Sequence, residues 1–190
     1  MLTSSLKPKL PLFSRVDLVE DVTIEREKGV KWIMLISDTH LPTRAREIPQ
    51  KVWDYMEKVD LVIHAGDFVS LEVVERIEEI TKLVGVCGNM DFTEVRERLP
   101  PINFTKVSGK RIGVIHDAGI FTTEKMERIA KEKKFDILVF GHTHKQFLME
   151  KDGITYVNPG SPTNPIPFSL PPSFALMKMG RKVEINFVKV

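Results

Sequence analysis

At 190 residues the chain suits one domain with a substantial core and falls short of the usual two-domain range. Its 28 basic and 26 acidic residues leave a formal charge of +2, which gives no electrostatic footprint for nucleic acid or an acidic membrane surface. The single cysteine, Cys87, excludes an intrachain disulfide framework, and no apolar run approaches the ~18 residues of a membrane span or forms a signal-peptide core, so a cytoplasmic protein is expected.

Residues 1–30 carry one short alternation, Val19 to Ile24, that fits an edge strand. They are otherwise left open, as a docked arm or a partly disordered N-terminal extension to a domain spanning 31–190. Trp32-Ile33-Met34-Leu35-Ile36 is a continuous apolar run of strand length, the mark of a strand buried on both faces. It ends at Ser37-Asp38-Thr39-His40. After the Pro42 break, Val52 to Val59 reads as a helix, and Asp60 to His64 as a second buried strand running into Ala65-Gly66-Asp67. Leu71 to Ile80 is an amphipathic helix between glutamates, and its charged face is read as solvated. A third strand, Leu83 to Cys87, ends at Gly88-Asn89-Met90-Asp91. Strand and helix alternate this far, which argues for parallel pairing with right-handed crossovers.

Beyond Pro100-Pro101 the spacing changes. Asn103 to Val107 and Arg111 to Ile115 flank Ser108-Gly109-Lys110, a hairpin signal, and the second strand ends at His116-Asp117. Thr122 to Lys133 reads as a helix capped by Thr122 or Thr123. Phe135 to Phe140 is a strand that delivers Gly141-His142-Thr143-His144. Two further hairpins follow, Gln146 to Glu150 with Ile154 to Asn158, and Ser173 to Met179 with Lys182 to Val188. The second half is therefore expected to be strand-rich and antiparallel. Taken together, the pattern predicts a mixed α/β sandwich, two sheets with helices outside.

Ligands of open α/β sheets bind beyond the carboxyl ends of the strands, and that is where this chain collects its polar residues. Asp38, His40, Asp67, Asn89, His116, His142 and His144 end five strands, and four of the five histidines are among them. In extended backbone, positions i and i+2 face the same side, so His142 and His144 could converge on one spot. Mixed N and O donors with no thiolate suit Mn, Fe, Zn, Co or Ni better than Mg or Ca.

The order Asp-x-His, Gly-Asp, Gly-Asn, His, Gly-His-x-His resembles the calcineurin-like metallophosphoesterase superfamily. The spacing is similar to that of its small bacterial and archaeal YfcE-type phosphodiesterases, and the resemblance runs from Lys31 to about Val188, including Asn158-Pro159-Gly160-Ser161. It implies a four-layer αββα sandwich. It also implies two divalent ions, manganese first among the candidates. Asp38, His40, Asp67 and His144 would hold one, and Asp67, Asn89, His116 and His142 the other. A hydroxide bridging such ions would attack a small phosphodiester in line, with Asp67, Asn89 and His116 as the residues of the reacting centre. Two carboxylates and a hydroxide leave about one positive charge on such a pair, an anion trap.

Departures from the family pattern are specific. Many relatives carry a histidine after the asparagine, where this chain has Met90, so good leaving groups are expected to be favoured. Asp117 replaces a common glycine and would either orient His116 or cancel the remaining positive charge. Ile166 stands where a basic residue is expected. His64 reads as a satisfied core histidine or one supporting the ligands, Asp91 as a structural hydrogen-bond partner and Cys87 as a buried small hydrophobe. Phe121, Phe168 and Phe174 read as core before substrate rim. Alternatives are a phosphomonoesterase at the same site, or a non-catalytic metal-binding scaffold like the retromer subunit of this fold. No nucleic-acid or membrane partner is expected, and a homo-oligomer is allowed.

Overall fold

The computed structural model describes residues 16–117, 124–164 and 170–190. Its elements are β1 (Leu18–Val19), β2 (Lys31–Ile36), α1 (Gln50–Met56), β3 (Leu61–His64), α2 (Leu71–Ile80), β4 (Leu83–Gly85), α3 (Thr93–Arg98), β5 (Ile102–Val107), β6 (Lys110–Ile115), α4 (Glu124–Lys133), β7 (Ile137–Val139), β8 (Gln146–Lys151), β9 (Ile154–Pro159), β10 (Ser173–Met179) and β11 (Val183–Lys189). One sheet runs β1-β11-β10-β2-β3-β4 and the other β5-β6-β7-β9-β8.

The pleat explains the layering. Along β2, Trp32, Met34 and Ile36 face α1 and α2, joining a core with Trp53, Met56, Val74 and Ile77. Ile33 and Leu35 point the other way, between the sheets, with Val114, Ile137, Val139 and Val157. A third core lies under α4, where Met126 and Ala130 meet Leu138, Met149 and Tyr156. Three apolar layers are what a four-layer αββα sandwich requires. Fully buried aliphatic side chains of this kind contribute about 1.5–3 kcal/mol each, which offsets the cost of the polar residues buried at the strand tips.

Several expectations need correction. The second half is not simply antiparallel, because β7 runs parallel to both β6 and β9. β10 inserts beside β2, antiparallel to it, and completes the first sheet. The edge strand at Val19 to Ile24 shrinks to Leu18–Val19, paired in parallel with β11. Residues 16–30 pack on the domain, as the docked-arm alternative has it: Trp32 Nε1 donates to Glu25 O at 3.0 Å, and the Val22 N–H donates to the Tyr55 hydroxyl at 2.9 Å. Helix α3 has no counterpart among the expected elements, since it is short and buries only Val95. Thr122, Thr123, Phe121, Ile166 and Phe168 lie outside the described residues, whereas Phe174 is fully buried core. Among the described residues no helix is long and apolar enough to cross a membrane.

Candidate metal centre

Each parallel strand stops just before its polar tip, and the backbone then turns sharply. Asp38, His40, Asp67, His142 and His144 all have positive φ, from 50° to 71°. His142 and His144 are therefore not brought together by strand alternation. Left-handed residues cost roughly 1–3 kcal/mol each when not glycine and persist only where neighbours determine them. Here the neighbours are clear. The Asp38 and His40 N–H groups donate to the Gly66 and Asp67 carbonyls, both at 3.0 Å, and the Gly141 N–H donates to the His116 carbonyl at 3.0 Å. Ser161 Oγ donates to the Asp38 carbonyl at 2.7 Å, and Thr163 Oγ1 to the Thr39 carbonyl at 2.8 Å.

All seven tip residues meet at one end of the sandwich, in two overlapping groups. Asp38 Oδ1 lies 3.3 Å from His144 Nε2 and 3.8 Å from His40 Nε2, while the two imidazole Nε2 atoms are 3.1 Å apart with the rings stacked. Asp67 Oδ2 lies between His40 Nε2 at 3.5 Å and His116 Nε2 at 3.3 Å. Asn89 Oδ1 completes the second group, 2.9 Å from both His116 Nε2 and His142 Nδ1. The rings of His142 and His144 thus diverge, one toward Asn89 and the other toward His40. Asp38, His40 and Asp67 are buried, whereas Asn89 is exposed and His142 half-buried, so the centre opens at that end.

The hydrogen-bond roles indicate what the centre could hold. His116 Nδ1 lies 2.8 Å from the Ala65 carbonyl, which can only accept, so the proton is on Nδ1. In the neutral imidazole Nε2 then turns a lone pair toward the oxygens of Asn89 and Asp67. Turning the amide would relieve Asn89 but not Asp67. His144 Nδ1 is likewise spent on the Asn164 carbonyl, so its Nε2 lone pair faces His40 and Asp38. His40 Nδ1 is buried with no hydrogen-bond partner among the described residues, so neither tautomer satisfies both of its nitrogens. Acceptors converging on acceptors fit a cation, and histidines anchored to carbonyls through the other nitrogen are what metal ligation requires. Asp38, His40 and His144 form one set able to hold a metal, and Asp38, Asp67 and His116 another.

Charge in the cluster follows from burial. Burial pushes Asp38 up to about 7 and drives His40 down to about 4. Burial also lowers His144, against the pull of the Asn164 carbonyl. It works against charge on Asp67 and His116 as well, but there the two groups' mutual contact prevails, holding the carboxyl below and the imidazole above their ordinary values.

A family model described as the calcineurin-like phosphoesterase superfamily domain matches residues 32–182. The chain belongs to that superfamily. It is 39% identical over 140 residues to a protein named probable metallophosphoesterase MJ0623 of Methanocaldococcus jannaschii, covering 72% of this chain and 71% of that one. It is 33% identical over 139 residues to phosphodiesterase MJ0936 of the same organism, covering 67% and 82%. Among solved structures, vacuolar protein sorting 29 of Cryptosporidium parvum aligns with a TM-score of 0.72 at 25% identity, covering 85% of this chain and 98% of that one.

Within this phosphoesterase frame, the supporting residues acquire definite tasks. Asp91 is a hub, not a ligand: its carboxylate accepts from the N–H groups of Gly88 and Val69, both at 2.6 Å, and of Asp67 at 3.2 Å. Buried His64 accepts from the Gly66 N–H at Nδ1, which leaves Nε2–H to donate to Thr39 Oγ1 at 3.2 Å, and its ring stacks on Phe68. The Met90 side chain is exposed, yet its N–H donates to Asp67 Oδ1 at 2.7 Å and fixes that carboxylate. Asp117 pairs with Lys125 Nζ at 2.9 Å across to α4. Cys87 is half-buried, not fully buried, and burial pushes its thiol up, which suits no nucleophile.

Sequence reasoning missed Arg96, Thr163 and Asn164. Arg96 donates to the Asn89 and Asp91 carbonyls at 2.6 and 2.8 Å, clamping the loop that carries Asn89. No local pattern marks an arginine in a polar helix for that task. Thr163 and Asn164 had a usable signal, since Ser161 two or three residues before them invites a hydroxyl-capped turn, and Ser161 Oγ accepts from the Asn164 N–H at 2.8 Å.

Proposed function

We propose that the protein is a divalent-metal-dependent phosphodiesterase acting on small phosphodiesters at a dinuclear centre. The observation that carries this reading is the convergence of His116 Nε2, Asp67 Oδ2 and Asn89 Oδ1 beside that of His144 Nε2, His40 Nε2 and Asp38 Oδ1. Asp38, His40, Asp67 and His144 hold one ion in this reading, and Asp67, Asn89, His116 and His142 the other. Asp67 Oδ2, between imidazoles of the two groups, supports its role as the shared carboxylate.

When bound, two such ions would neutralise phosphoryl oxygens and lower the pKa of a bound water. The chain's own residues do the rest. The Met90 N–H holds one oxygen of Asp67 so that the other faces the centre. The Ala65 and Asn164 carbonyls hold the protons of His116 and His144 on Nδ1, leaving Nε2 for the metals. Asn89 and His142, exposed and half-buried at the open end, meet the substrate in this reading. Manganese is the first candidate among Mn, Fe, Co, Ni and Zn, the cytoplasm the expected compartment, and 31–190 the catalytic domain.

The name of the phosphodiesterase relative supports a diester substrate over a monoester. Retention of every tip residue argues against a scaffold that has given up metal chemistry. The test is to strip the metal, add back Mn, Ni, Co or Zn, and assay an aryl phosphodiester and the matching monoester beside Asp67→Asn. Metal-dependent diester hydrolysis lost in the variant is the expected result. No turnover with any of the four ions overturns the enzyme reading, and faster monoester hydrolysis overturns the diester preference.

A further inference from the structure

Beside Asn89 and His116 a cleft of about 350 Å³ runs between the start of β5 and α4. Its apolar lining comes from Pro101, Ile102, Ile115 and Ile129. Ile102, on the apolar wall, is 38% exposed. The charged groups on the cleft are already engaged. Arg96 donates to the Asn89 and Asp91 carbonyls, and Lys125 pairs with Asp117. What remains for a ligand is an apolar wall next to the residues placed to meet a phosphoryl group.

We infer that this cleft seats the second, apolar arm of the phosphodiester, and that the preferred substrates carry one aryl ring there. The inference rests on the phosphodiesterase reading for the position of the phosphate. A volume near the lower end of ligand pockets, roughly 300–1,000 Å³, suits a single ring system and not an oligomer. On the wall formed by Ile102, Ile115 and Ile129 a hydroxyl would find no side-chain hydrogen-bond partner, and an aryl ring would gain apolar contact. With Arg96 hydrogen-bonded to two carbonyls and Lys125 paired with Asp117, shape and apolar contact carry the selection.

The experiment uses manganese-loaded protein and two probes, phenylphosphonate and methylphosphonate, with affinities measured by calorimetry. Phenylphosphonate is expected to bind about tenfold more tightly. That margin is expected to vanish in Ile102→Asp and to shrink in Ile129→Ala, with methylphosphonate affinity and melting temperature retained in at least one of the two. Equal affinities for the two probes, including no measurable binding of either, overturn the inference. So does a margin that survives both substitutions. Diester hydrolysis assayed in parallel keeps the readings apart: absent turnover with the binding margin intact sinks the phosphodiesterase reading and leaves the cleft's selectivity standing.

Discussion

His116 Nδ1 sits 2.8 Å from the carbonyl oxygen of Ala65, two residues before Asp67, so the strand that delivers the carboxylate also sets the tautomer of the imidazole facing it. The two sheets are thereby coupled at the site: β3 carries Ala65 and Asp67 on its tip, β6 carries His116. His116→Gln, which keeps a polar group but loses the ring geometry, is expected to lower metal affinity about 10- to 100-fold, measured by calorimetry with manganese. Unchanged affinity would contradict the role assigned to that ring.

Metal uptake is expected to strengthen as pH rises toward neutrality. Burial pushes Asp38 up to about 7, so below that pH most chains hold a proton that a cation must displace, and above it they do not. His116, held above its ordinary value despite burial by the Asp67 contact, adds to the effect with the same sign. Affinity should climb by about tenfold per pH unit for each proton displaced from about pH 5 to about pH 7, then flatten. Titration in buffers of different ionisation heat would count the protons, and a flat profile would show that neither group is displaced.

Asp91→Ala is expected to destabilise the fold by about 3 kcal/mol or more, because three N–H donors from Gly88, Val69 and Asp67 lose their acceptor in a buried loop. Urea unfolding of the metal-free proteins measures this directly. A loss under about 1 kcal/mol would mean that water or a rearranged loop replaces the carboxylate.

Gly88 and Gly180 form a contrasting pair. A Cβ on Gly88 would lie 2.2 Å from Asp67 Oδ1 and 2.6 Å from the Asp67 nitrogen, so Gly88→Ala must displace the Asp67 carboxylate. Its metal affinity is expected to fall about 10- to 100-fold. A Cβ on Gly180 meets nothing closer than 3.6 Å, and Gly180→Ala is expected to bind metal like the parent. Equal behaviour of the two variants would contradict this steric account.

Asp117 places a carboxylate beside His116, and its pairing with Lys125 removes much of its effect on an incoming anion. Asp117→Gly frees the lysine and is expected to raise kcat/KM for a phosphodiester a few-fold, on the order of an exposed ion pair. An unchanged or lower value would show that Asp117 does not oppose anion binding.

The sequence made the architecture legible where one pattern dominated. The apolar run of β2 can only be a strand covered on both faces, and the glutamate-spaced isoleucines and valines of α2 can only be an amphipathic helix. It was silent where pairing is decided by distant partners: nothing in Phe174 to Met179 says that this strand will lie beside β2 instead of extending the second sheet. The residue types at the site were equally plain, since histidines and carboxylates gathered at the ends of five strands point to metal or phosphate chemistry. Their backbone was not. The left-handed turns at Asp38, His142 and His144 depend on acceptors and donors far along the chain, such as the Ser161 hydroxyl, which no local pattern can announce.

The central claim is that these converging lone pairs hold two cations. Metal bound per chain, measured by calorimetry and elemental analysis on stripped protein titrated with manganese, tests it most directly. Two equivalents for the parent and a loss of tight binding in Asp67→Asn are predicted. One equivalent or none in the parent, or two equivalents retained in Asp67→Asn, would contradict it.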